Sequence, residues 1–540
     1  MKAIITRTAC AVARWLPVAG PVFLLQAPDA LSYPYSVDKK LIQYGWDMPS
    51  AKWMADNIGR MEEMPFDGVC FFAHRENRLT YLFDPSPWPE ADIDWESCDA
   101  IAAKQATFRH NFAGVFSSDR FDFEWFNDTH WEAILANMKL AARAAKRAEC
   151  VGLLFDTEAY SDSKPWRYSD HSEGHGRAEV EAKMRLRGGQ VMAAWQSEFP
   201  DIKILCTVLL YHVPWGENFE MLPAFVNGML DSIGPRARII EGHEDAFYWK
   251  STGKWYEKYR DVRVTFRDTY IAPENRGRYD RQVQAGTTCY PHDFCSGALT
   301  PSQRLIHEHH IYTGLAASDE YCWYFNEQFA FWDNPEGRTM GMPTSAPPWD
   351  GIVETIESAR EKWDGGNALG YDMLDREADS SIALSIDAPS FNATFNKGET
   401  VTVVVSSSGA PIDKVSLYVN AMHRLDDSTA PYEFTLDDLD TGSCTLVARG
   451  YGDGTTGTSN PATMVVTDEV SMTRSARGFR VGSVGGPSAL SGRWYDIRGR
   501  RILTPASAAA GIRIRAPGHV HGPDGCRHRA HAREPEDHHR

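Results

Sequence analysis

The chain has 540 residues, of which 43% are hydrophobic, 12% aromatic and 24% charged. It is too long for one hydrophobic core, since cores stop growing at about 250 to 300 residues, and too apolar for disorder, so two or three folded domains are expected. A net charge of −17 speaks against nucleic-acid binding, which needs clustered Lys and Arg to meet phosphates. The charge is uneven. Residues 471–540 hold 13 Arg, no Lys and 5 acids, net +8, so residues 1–470 carry net −25.

At the start, Lys2, Arg7 and Arg14 accompany an apolar stretch at 15–25 that has the length of a signal-peptide core and is too short to span a bilayer. Pro17 and Pro21 interrupt it, and no A-x-A cleavage site follows. Residues 1–35 are read as a leader for export, to the bacterial periplasm, cell surface or medium. Ten cysteines include no CxxC and no zinc-finger spacing, so a structural zinc is not expected. Cys70, Cys150, Cys206 and Cys322 lie in apolar runs and read as buried free thiols, whereas Cys289 and Cys295 are close enough in sequence to be bridged.

Between 36 and 378, short apolar runs alternate with helical stretches, the pattern of a parallel sheet covered by helices. The predicted strands are 41–46, 68–72, 112–116, 151–155, 202–210, 238–241, 285–290 and 320–324, with 262–266 as a competitor. Helices are predicted at 130–147, capped by Asp128 and Thr129, and at 177–199, closed by Pro200. Eight strands over some 340 residues fit a (β/α)8 TIM barrel with enlarged loops better than an open doubly wound sheet. No G-x-G-x-x-G and no Walker A sequence follows the first strand, so nucleotide-binding versions of α/β lose support.

From 379 to 468 the pattern changes to alternating strands at 382–386, 400–405, 415–419, 432–436, 444–449 and 463–466, the spacing of a small antiparallel sandwich. This stretch, Gly442-Ser443-Cys444-Thr445-Leu446-Val447-Ala448 included, resembles a bacterial immunoglobulin-like module, which implies an accessory domain without chemistry of its own. Residues 469–540 form a basic tail. Its Trp494-Tyr495-Asp496-Ile497-Arg498-Gly499-Arg500-Arg501 followed by Ala510-Gly511-Ile512 resembles the sorting domains of type IX secreted proteins, but Gly, His, Pro and Arg replace the last strand expected there.

In a barrel enzyme the reacting groups stand at the C-terminal ends of the strands, so strands that end in acids are the candidates. The clearest is Leu153-Leu154-Phe155-Asp156-Thr157-Glu158-Ala159-Tyr160. Period two puts Asp156 and Glu158 on one side of an extended chain, where one carboxylate raises the pKa of the other and keeps it protonated as a general acid. A second run, Ile239-Ile240-Glu241-Gly242-His243-Glu244-Asp245-Ala246-Phe247-Tyr248, offers Glu241, Glu244 and Tyr248; a third, Asp319-Glu320-Tyr321-Cys322-Trp323-Tyr324-Phe325-Asn326-Glu327, offers Glu320, Trp323 and Glu327. Weaker candidates at the same face are Trp46, Asp47, His74, Asn111, Tyr290 and Asp293, each beside a strand end. His307-Glu308-His309-His310 lacks metalloprotease spacing, no G-x-S-x-G nucleophile elbow occurs, and no cofactor or metal is called for.

Together the barrel, the Asp156 and Glu158 strand end, the aromatic and acidic last strand and the attached sandwich resemble a secreted TIM-barrel glycoside hydrolase of the polysaccharide-degrading kind. The resemblance implies hydrolysis of a poly- or oligosaccharide, with Glu158 as proton donor and Glu320 or Glu244 as nucleophile. Asp156-x-Glu158 is similar to the D-x-E strand end of chitinase-type hydrolases, but Leu153 and Leu154 stand where that family's longer motif has acids, which argues against substrate-assisted chemistry. The alternatives are a noncatalytic glycan-binding barrel and a barrel enzyme of another class, a lyase or metal-dependent hydrolase.

Overall fold

Runs of Leu, Ile, Val and Phe too apolar to face water on either side become the staves of a closed parallel sheet. The computed structural model describes residues 38–75, 80–117, 123–158, 164–334, 346–375 and 377–468, and the short antiparallel strands Trp494–Tyr495 and Arg501–Ile502. The expected leader and the rest of the expected tail lie outside the described residues. The barrel strands are β1 (Lys40–Gly45), β2 (Gly68–Phe71), β3 (Phe112–Phe116), β4 (Gly152–Asp156), β5 (Lys203–Cys206), β6 (Arg238–Glu241), β7 (Val283–Ala285), β8 (Thr287–Cys289) and β9 (Tyr321–Asn326). They pair in the order β7-β6-β5-β4-β3-β2-β1-β9-β8, all parallel.

Only Gly286 separates β7 from β8, so one bent stave pairs with β6 below the bend and with β9 above it, and the ring closes on eight positions. A side chain at Gly286 would meet Ile240 Cγ2 at 2.8 Å and the Glu241 carbonyl oxygen at 2.9 Å, which is why the bend carries glycine. Alternation sorts the side chains into two layers. Leu153 and Phe155 pack outward under the helices, whereas Leu154 points into the barrel with Ile42, Cys70, Phe112, Leu205, Ile240, Tyr321 and Trp323.

Helix Asp128–Arg147 is capped by Asn127, whose side chain accepts from Thr129 N and His130 N, one residue earlier than expected. Helix Arg177–Glu198 follows β4. The competing segment is not a strand: Asp261–Phe266 is a π-helical turn between two helices. The eight described cysteines are all free and buried, so the expected Cys289–Cys295 bridge is not formed; Cys289 Sγ instead lies 3.5 Å from Cys322 Sγ on the neighbouring stave.

In the sandwich, Ile382–Ala388, Val401–Gly409 and Tyr432–Leu436 form one sheet, and Ala393–Asn396, Ala462–Thr467, Gly442–Gly452, Lys414–Val419 and Met422–Asp427 the other. Ile382, Leu384, Ile386, Val401, Val403 and Val405 alternate into its core. The sandwich is welded to the barrel through Asp372, a fully buried carboxylate that accepts from Thr252 at the start of helix Thr252–Arg260, from Arg449 at 3.1 Å and from Thr458 at 2.8 Å.

Candidate functional site

β4 stops at Asp156 because its neighbours take over the backbone: Ser117 N donates to the Asp156 carbonyl at 2.7 Å and Trp166 Nε1 to the Thr157 carbonyl at 2.8 Å, while the Thr157 hydroxyl donates to Val208 O. Leu154 faces the barrel interior, so period two carries Asp156 and Glu158 to the same side. Asp156 Oδ1 accepts from Glu158 N and from Thr207 Oγ1, both at 3.0 Å, and Tyr44 donates to the same carboxylate from across the barrel. Burial and then the charge of Glu158 lift Asp156 to a pKa of about 7, against the pull of those donors. Ser117 Oγ holds the Glu158 carbonyl at 2.9 Å.

Glu244 opens the 3-10 turn Glu244–Tyr248 that follows β6. His243, at a left-handed φ of 50°, turns the chain there and stacks on Tyr211 at 4.6 Å between ring centres. The Glu244 carboxyl is raised well above the usual range, first by burial, then by the charges of Glu158 and Asp156. Its Oε2 and the Tyr211 hydroxyl are buried without a hydrogen-bond partner among the described residues. Tyr211 is itself pushed up by burial and by the charges of Glu244, Glu241 and Glu158. Asp156, Glu158 and Glu244 thus form one interacting carboxylate cluster over the C-terminal end of the barrel.

A second polar group stands beside it. Tyr290 donates to the Glu327 carboxylate, His292 Nε2 accepts from Glu327 N at 3.2 Å, and Tyr248, 57% exposed, feels the charges of Asp293, Glu244, Asp245 and Glu327 after the cost of its own burial. Phe247 stacks on Tyr290 at 4.3 Å and ties the two groups together.

Several expected residues do other work. Glu320 precedes β9 and therefore sits at the N-terminal mouth, the wrong end for catalysis; Lys203 Nζ reaches its carboxylate at 2.7 and 2.8 Å and Gln284 Nε2 at 3.0 Å. Burial opposes ionisation of Glu320, but Lys203, helped by Gln284 and His110, holds the carboxyl below its ordinary value. Asn111 precedes β3 at that same end and binds Val69 N, Gln105 and Phe108 O. Glu241 follows the inward Ile240 and so turns away from the interior, where it accepts from Leu209 N at 3.0 Å and Leu210 N at 2.7 Å; burial lifts it to about 7.

Asp47 is buried and accepts from Gln43, Asn326 and Phe331 N, a knot between the ends of β1 and β9, with burial raising it to about 6. Trp323 is fully buried with its indole N–H given to the Gly242 carbonyl at 2.9 Å, so it floors the site and offers no face to a ligand. His74 is buried, its Nδ1 2.8 Å from Arg75 O and its ring edge-on to Trp88. Trp46 is half-buried after β1, and Tyr160 lies outside the described residues.

Sequence reasoning missed Tyr44, Thr207 and Tyr211. Tyr44 had a usable signal, since it shares the period-two face of Ile42. The others stand on residues read as the end of a long fifth strand or just past it; β5 ends at Cys206, because Leu209 N and Leu210 N bond to the Glu241 carboxylate instead of a neighbouring strand. Among the described residues no group of three His, Cys, Asp or Glu is arranged to hold a metal ion, and no helix is long and apolar enough to cross a membrane.

Residues 383–448 match the family model of the bacterial Ig domain. No curated protein matches the chain. Among solved structures, the endo-β-1,4-mannanase from Thermotoga petrophila is similar over 81% of this chain and 98% of its own, at 11% identity and a TM-score of 0.37. The β-glucuronidase 2 of Bacteroides uniformis is similar over 81% of this chain at 9% identity and a TM-score of 0.33, and the match spans only 46% of that enzyme's length. The fibronectin(III)-like modules of Clostridium thermocellum CbhA are similar over 16% of this chain and 98% of theirs, at 24% identity and a TM-score of 0.16.

Proposed function

We propose that the barrel hydrolyses glycosidic bonds of a poly- or oligosaccharide, with Glu158 and Glu244 as the working carboxylates. The single observation behind this reading is the cluster of Asp156, Glu158 and Glu244, in which burial and like charge drive two carboxyls upward and Glu158 is the strongest charge acting on both. Groups pushed apart in pKa at one site divide the labour of acid and base.

In this reading the roles differ from those expected from sequence, where Glu158 is the proton donor. Glu244, whose carboxyl is pushed well above the usual range by burial and then by the charges of Glu158 and Asp156, donates its proton to the leaving oxygen; Glu158, acting as a carboxylate, either attacks the anomeric carbon or activates water against it. Asp156, bound by Thr207, Tyr44 and Glu158 N, steadies Glu158 and moderates its charge. In the first case the intermediate glycosyl ester on Glu158 is hydrolysed with Glu244 acting as base and the anomer is retained; in the second the anomer inverts.

The test is a screen of the full chain against a glycan panel, beside Glu158→Gln and Glu244→Gln. Reducing ends released by the parent and lost in both variants support the reading, and the anomeric form of the first product then chooses between the two routes. Unchanged activity in either variant removes that residue from the mechanism, and no release from any glycan defeats the reading.

A further inference from the structure

Two aromatic rings stand exposed on the segments that follow β5 and β6. Among the described residues the exposed large apolar side chains are Leu186, Trp215, Tyr248, Leu305, Leu374 and Leu425, and the two aromatic ones both stand at the C-terminal face of the barrel. Trp215 is 62% exposed in the short turn Val213–Trp215 after β5. It is not a loose side chain. Its ring lies 4.6 Å from His212 at 37° and 6.0 Å edge-on from Tyr211, and Tyr211 in turn is stacked on His243, next to Glu244. Burial lowers His212 to about 4, so at neutral pH the support beneath Trp215 is an uncharged ring.

Tyr248, at the far end of the turn that Glu244 opens, is 57% exposed and rests edge-on against Phe247 at 6.1 Å, with Asp293 and Glu327 close enough to act on its hydroxyl. A large ring held in fixed orientation with its face in water loses little conformational freedom when something flat covers it, and sugar rings present such apolar faces. Trp215 follows β5, whereas Glu244 and Tyr248 open and close the turn after β6, and Tyr248 lies near enough to Asp293 and Glu327, which follow β8 and β9, to feel their charges.

The geometry points to a cleft that holds a run of several sugar units across the carboxylates, stacked on Trp215 at one side and on Tyr248 at the other, so that the bond cut lies inside a chain. This rests on the glycosidase reading and deepens it: the substrate is a polymer or long oligosaccharide and the cut is internal. Trp215 and Tyr248 act as binding residues on units distant from the reacting one and take no part in proton transfer.

The experiment compares kcat/KM on the two-unit and six-unit oligosaccharides of whichever glycan the parent cleaves, cellobiose and cellohexaose for a β-glucan or mannobiose and mannohexaose for a mannan, in the full chain and in Trp215→Ala, Tyr248→Ala and Trp215→Phe. Internal cleavage by the parent releases mixed oligosaccharides first, and each Ala variant lowers the six-unit to two-unit ratio by about 5- to 10-fold, the size of a stacking contact of about 1 kcal/mol; Trp215→Phe restores most of it. Equal losses on both lengths, no loss on the long chain, or monosaccharide as the first product overturns the internal-cleft assignment and leaves the glycosidase standing. A parent that releases no reducing ends defeats both.

Discussion

The two mouths of the barrel are built from the same residue types and handle charge in opposite ways. At the N-terminal mouth every buried acid described above or beside it has a cation or a full set of donors: Glu320 meets Lys203, Asp67 meets Arg360, and Asp319 accepts from Tyr259 and Ala285 N with Arg263 at 3.7 Å. At the C-terminal mouth Asp156, Glu158 and Glu244 repel one another, and Glu244 Oε2 and the Tyr211 hydroxyl are left without partners among the described residues. Paired charge at one end stabilises the ring. Like charge at the other costs stability and shifts pKa values toward the range where protons move.

The contrast makes its strongest demand on activity. With Glu244 as the proposed proton donor, Glu244→Gln is expected to lower kcat by about 10²- to 10⁴-fold on natural glycans, and aryl glycosides with acidic leaving groups to recover most of the loss because they need no donor. A Glu244→Gln variant equally slow on all leaving groups would exclude the donor role.

Next in size is the opposite mouth. Glu320→Gln leaves Lys203 partly buried without its counter-charge, for which about 2 kcal/mol of stability is expected, since breaking buried pairs costs up to about 3 to 5. Thermal unfolding moves down by a few degrees while kcat/KM stays within about twofold. A collapse of activity with unchanged stability would return Glu320 to the active site.

A further effect is a pH dependence of stability. Asp156 has a folded pKa of about 7 against 3.8 for the free side chain. Below pH about 4 it is protonated in both states and contributes nothing; between about 4 and 7 the unfolded chain ionises first, so stability falls as pH rises, and above 7 the full penalty remains. Asp156→Asn therefore gains stability relative to the parent at pH 8 and little at pH 4, read as the difference between two melting curves. A gain that is the same at both pH values would mean that Asp156 is not held protonated.

The same polarity explains what could be read from the sequence. Strand β4 was legible because its acids follow the apolar run, and the alternation that buries Leu154 inside the barrel also aims Asp156 and Glu158 at the site. The last stave carries acids at both ends, 319–320 and 327, and only the strand's direction says which pair belongs to which mouth: Glu320 falls below Tyr321, Glu327 beyond Asn326. Glu241 failed for a finer reason, since one step past Ile240 reverses the side on which a side chain emerges. Tyr211 was hidden by apolar Val208, Leu209 and Leu210, which look like strand and are instead a loop pinned by the Glu241 carboxylate. The sandwich was the easiest part, because a two-sided sheet with one wet face writes its alternation into every strand.

The division of roles between Glu158 and Glu244 is tested most directly by rescue with azide. With an activated aryl glycoside of the sugar the parent cleaves, Glu158→Ala plus azide regains turnover and yields a glycosyl azide of inverted configuration if Glu158 is the nucleophile, while Glu244→Ala plus azide yields one of retained configuration. The account predicts rescue in both variants with opposite stereochemistry if the enzyme retains configuration. Products of the same configuration from both, or turnover in Glu158→Ala equal to the parent without azide, would contradict it.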